Sequence, residues 1–190
     1  MSIWAHLDLN FKNYDAIQGE LANNSVPFTR PGNTYKALLS YLKRVIDSSS
    51  DLINRYFFLF EFIKPNGPDL FLALEIKDDG KIESVKKIIE TIEKPAFVSS
   101  IRFWENSGDE GHKEATLDMF HASTKYAFFR IRDDYNPDDQ GNNEFKIIHC
   151  FCNQQYVDWL NEVFFCSYNA TGRTKLILEE RKRYERQQEV

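Results

Sequence analysis

Two apolar runs separated by a turn constrain this chain more than any other feature. Tyr56 to Ile63 reads YFFLFEFI and Leu70 to Ile76 reads LFLALEI, with Lys64-Pro65-Asn66-Gly67-Pro68-Asp69 between them. Aromatic and β-branched runs of this length, bounded by Pro and Gly, are strands joined by a turn, so the pattern predicts an antiparallel hairpin. Met1 to Phe11 adds a strand by strict alternation, with Ile3, Ala5, Leu7, Leu9 and Phe11 on one half-buried face. Phe97 to Trp104, Tyr126 to Arg132 and Phe145 to Cys152 read as further strands.

Helical spacing fills the gaps. Leu38, Leu39, Leu42, Val45 and Ile46 predict a helix over Tyr35 to Ile46 with Thr34 as its cap. Ile82, Val85, Ile88, Ile89 and Ile92 form a second stripe, ended by Pro95. A short amphipathic helix is expected over Glu114 to Ser123, another over Tyr156 to Ser167, and a charged one over residues 174–190. Residues 12–34 read as a loop with one helical turn. Hairpins mixed with helices favour an α+β class: one domain over 1–190, with a mixed or mainly antiparallel sheet covered by helices on one face.

Composition narrows the function classes. The net charge of −5 comes from Lys and Arg interleaved with Asp and Glu, without the basic face that nucleic-acid binding needs. Arg181-Lys182-Arg183 is flanked by Glu179, Glu180 and Glu185, a self-paired helix surface. No apolar run approaches membrane-spanning length. Three cysteines, an odd count, and no signal-like start point to the reducing cytoplasm, with Cys150, Cys152 and Cys166 reduced and buried.

Three clusters invite chemistry. Glu105, Asp109, Glu110, His112, Glu114, Asp118 and His121 supply carboxylates and imidazoles, but no metal-ligand spacing, so they read as a solvated loop and helix face. His121-Ala122-Ser123 matches half of a two-histidine phosphoesterase signature, and no second half exists. Asp134, Asn136 and Asp138 open like a calcium loop, but Asp139 stands where glycine is required and Phe145 where the closing Glu belongs. His149-Cys150-Phe151-Cys152-Asn153 carries zinc-type donors, yet on a strand His149 points away from the two thiols. Neither a metal nor a cofactor is expected.

The order of features resembles the thiopeptide-type bacteriocin-biosynthesis domain, which is also the C-terminal elimination domain of lanthionine-forming dehydratases. Trp4, the aromatic strand YFFLFEF, Pro65 or Pro68, LFLALEI and FWENSGDEGHKEATLDMFHAST follow the family's sequence of elements. His149 and Asn153 match its H-x-x-x-N junction. The resemblance implies elimination from an activated Ser or Thr side chain on a leader-bound peptide. The family's hairpin arginines, however, are replaced here by Phe60, Phe71 and Ala73. Apolar side chains cannot stabilise a departing carboxylate.

Two functions follow. The favoured one is a binding or accessory protein for a protein or peptide partner, with self-association as an option and Phe60, Phe71, Trp104 and Asn153 as contact residues. The alternative is a small lyase-like enzyme using His149 as acid or base, with Glu105 or Glu61 as its partner. A lone histidine in the apolar strand KIIHCFC favours a structural role for His149.

Overall fold

The computed structural model describes residues 3–13, 17, 20–21, 31–60, 68–107 and 114–136. Their element order is β1 (Ile3–Phe11), α1 (Asn33–Ser48), β2 (Ile53–Phe60), β3 (Leu70–Ile76), α2 (Ile82–Thr91), β4 (Val98–Ser107) and α3 (Glu114–Arg130). The strands form one antiparallel sheet in the order β2-β3-β1-β4. This βαββαβ chain with β1 between β3 and β4 is the split arrangement of ferredoxin-like folds, extended by α3. The chain is α+β, and among the described residues its sheet is antiparallel throughout.

The hairpin strands pair antiparallel as the two apolar runs predict, over Ile53–Phe60 and Leu70–Ile76, with Phe57 opposite Ala73 and Leu59 opposite Phe71. The expected end of the first strand and the start of the turn, residues 61–67, lie outside the described residues. β1 is more enclosed than its alternation suggests. Ala5, Leu7, Leu9 and Phe11 pack with Leu38, Leu42 and Val45 of α1 and with Val85 and Ile89 of α2. The intervening Trp4, His6 and Asp8 are buried too, at 1%, 2% and 5% exposure. The expectation of a half-buried strand therefore fails. β1 is a central strand flanked on both edges, and Trp4 joins a second cluster with Phe57, Ala73 and Leu117 on the sheet's other face.

Thr34 does not cap α1. The capping position is Gly32, and Thr34 lies inside the first turn. Its N–H and hydroxyl both donate to the Glu20 carboxylate, at 3.1 and 2.7 Å. An acid from the preceding segment thus satisfies a first-turn amide, where the helix dipole favours negative charge.

The largest correction concerns residues 114–132. A short helix followed by a strand over Tyr126 to Arg132 is not what forms; one helix, α3, runs through Glu114–Arg130. Neither Gly nor Pro interrupts this stretch, and Leu117, Thr124, Ala127 and Phe128 bury on a continuous helical stripe. The alternation of Tyr126, Phe128 and Arg130 with Ala127 and Phe129 mimics a strand because the helix end is apolar on several sides. The expected strand over 145–152, the helices over 156–167 and 174–190, and the three cysteines lie outside the described residues. Among the described residues no helix is long and apolar enough to cross a membrane.

Candidate functional site

The two edges of the sheet are finished differently. β2 is closed by α3, whose side chains bond directly to its backbone. Thr124 Oγ1 accepts the Phe58 N–H at 3.2 Å. His121 Nδ1 lies 2.8 Å from the Tyr56 carbonyl oxygen and 3.3 Å from its nitrogen, so the shorter contact is the one an Nδ1–H would donate. The His121 ring also meets Tyr56 edge-on at 4.5 Å. Burial lowers the His121 pKa below its ordinary value; the Tyr56 backbone bond and Asp118 oppose this, while Lys125 and Arg55 add to it.

A half-buried ion network fixes the start of α3 to the same edge. Arg55 on β2 forks onto Glu75 of β3 at 2.8 and 3.2 Å. It also reaches Glu114 at 2.7 Å and Asp118 at 3.3 Å. The Glu75 hydrogen bonds are the largest influence raising the Arg55 pKa, and burial opposes them. Both α3 acids lie in its opening turns, where the dipole supports them.

β4 has no such cover: among the described residues nothing pairs with its outer side. Every second residue of an edge strand turns its N–H and C=O outward, unpaired. At the start of the strand Lys94 donates to the carbonyls of Val98 and, at 3.0 Å, Ser99. Beyond Ser99 the edge is open among the described residues. On the helix side a cleft of about 650 Å³ runs between α2 and β4, with Ile89, Ile92, Ile101 and Phe103 as its apolar wall and Lys86 and Glu90 among its charged residues.

On the opposite face Trp104 is the exposed large hydrophobic side chain among the described residues, at 38%. It stacks on His6, ring centroids 4.0 Å apart and 9° from parallel. Phe71 lies on the other side of His6 at 6.2 Å. Next to this stack Arg102 donates to the buried Asp8 carboxylate at 2.6 and 3.1 Å. Its side chain remains 73% exposed.

Of the residues predicted for binding, Phe71 and Trp104 thus come together across β1. Phe60 does not join them: it pairs with Leu70 and packs on the helix-side cluster near Tyr35. Glu105 is exposed and opposite Ala5, so it too faces the helix side, away from Trp104. Glu61, His149 and Asn153 lie outside the described residues. The acidic cluster divides, with Glu114 and Asp118 on Arg55 and His121 on Tyr56. Among the described residues no three His, Cys, Asp or Glu side chains converge as a metal site would require.

His6 and Asp8 were missed in the sequence. Their signal was the bulk and polarity of Trp4-x-His6-x-Asp8 on the nominally solvent face of a strand. Compared with known proteins, the chain matches no family model and no curated sequence.

Proposed function

We propose that this chain is a cytoplasmic binding or accessory protein that engages an extended segment of a protein or peptide partner along β4. The single observation that carries this is the asymmetry of the sheet: α3 side chains close the β2 edge, and among the described residues the β4 edge is open from Ser100 onward. An extended segment added to such an edge gains main-chain hydrogen bonds, and its alternate side chains find pockets on the two faces. Here those would be the cleft walled by Ile101 and Phe103 on one face, and Trp104 on the other. Natural sheets usually blunt an edge that has no partner, which makes an open one informative.

The test is selection from a phage-displayed random peptide library on the full chain, immobilised at low density. A consensus of alternating apolar residues should emerge, and the synthetic consensus peptide should bind Trp104→Ala at least about tenfold more weakly, a loss within the range of an interfacial aromatic anchor. Absence of any consensus, or a peptide indifferent to Trp104, contradicts the proposal.

A further inference from the structure

We infer that the segment β4 receives is the β4 strand of a second copy of this chain, paired antiparallel about a twofold axis at Phe103. This rests on the proposed role of the β4 edge and names its occupant. Lys94 already holds the carbonyls of Val98 and Ser99, so the stretch of β4 left for a partner is Ser100 to Ser107.

Directly opposed residues in an antiparallel pair must share a face, which permits only registers centred on a residue. Two of these use seven of the eight residues from Ser100 to Ser107, one centred on Phe103 and one on Trp104. A centre at Trp104 sets Arg102 against Asn106 of the second copy and gives the guanidinium no aromatic face. A centre at Phe103 supplies one. It brings Arg102, largely exposed, opposite Trp104 of the second copy on the His6 side, a cation–π pair made twice by symmetry. On the helix side Phe103 meets Phe103 of the second copy beside the cleft that its own ring lines. Ser100 meets Asn106, polar with polar.

The same geometry explains why assembly stops at two. The joined sheet would end at two β2 edges, each covered by its own α3 through His121 and Thr124. An isologous contact that uses the edge open among the described residues, and leaves the covered ones, closes as a dimer rather than a fibre.

Sedimentation equilibrium of the full chain at high micromolar concentration tests this. The expected mass is twice that of one chain. Phe103→Glu and Phe103→Lys should each sediment as monomers, because each puts like charges on the axis, and mixing the two should restore the dimer. A monomeric wild type, or Phe103 variants that still dimerise alone, overturns the inference. Should circular dichroism show those variants unfolded, a mixture of S100C and N106C chains under mild oxidation replaces them. A disulfide joining positions 100 and 106 between chains supports the register, and its absence overturns it. A wild type that stays monomeric yet captures the selected peptide overturns self-pairing alone. One that does neither overturns the β4 reading as well.

Discussion

Trp104 lies flat on His6, a partly exposed indole covering an almost fully buried imidazole. The two are directly opposed across β4 and β1. One ring face of the proposed contact residue is therefore committed to the interior, which holds the indole in place before a partner arrives. Rigid aromatic anchors of this kind lose little freedom on binding. Trp104→Ala should keep the fold and lower unfolding free energy by about 0.5–1.5 kcal/mol beyond the lost area, the usual worth of an aromatic pair. Denaturant titration checks this, and an unchanged midpoint would show the stack to be incidental.

The Arg55 network should rank its partners by burial. Glu75 is 7% exposed and Glu114 74%. Arg55→Met removes the guanidinium from a buried carboxylate and should cost about 3 kcal/mol, the low end for a broken buried pair. Glu114→Gln touches only a solvent-screened arm and should cost less than about 1 kcal/mol. Equal costs in urea unfolding would mean that Glu75 is not the principal partner.

Acid should weaken the closure of β2. Burial holds the folded-state pKa of His121 below its ordinary value of 6.5, so the unfolded chain takes up that proton first. The stability tied to neutral His121 is complete above about pH 6.5 and declines as pH falls below it. His121→Asn keeps a short polar side chain near Tyr56 but cannot titrate. Thermal midpoints measured from pH 7.5 to 5 should fall more steeply in the wild type than in this variant. Parallel curves would assign the acid sensitivity elsewhere.

Much of the sheet was legible because its signals are local. The Pro- and Gly-bounded hairpin at Tyr56 and Leu70, and the stripes of α1 and α2, are short-range patterns that tertiary packing did not override. The strand expected over Tyr126–Arg132 failed because an apolar helix end resembles an alternating strand, and periodicity alone cannot separate them. At the site, Trp104 and Phe71 were readable as aromatics on strands. Their meeting at His6, and the separation of Phe60 from both, depend on register between strands far apart in sequence. The roles of His121 and Thr124 were hidden for the same reason, since their partners Tyr56 and Phe58 are more than sixty residues away.

Thr124→Val should loosen the β2 edge without creating a cavity. It leaves the Phe58 N–H lacking its acceptor at a part-buried position, a loss of about 1–3 kcal/mol. Amide exchange at Phe58 should accelerate while that at Phe103 stays the same. Unchanged Phe58 exchange would show that α3 does not close this edge.

The central claim is that β4, and not β2, is the binding edge. Backbone amide hydrogen exchange, compared with and without saturating consensus peptide in a chain kept dilute, tests it most directly. Outward-facing amides between Ser100 and Asn106 should become strongly protected, while that of Phe58, already held under α3 by Thr124, should not change. Protection that appears on β2, or binding that leaves every β4 amide exchanging as before, would contradict the account.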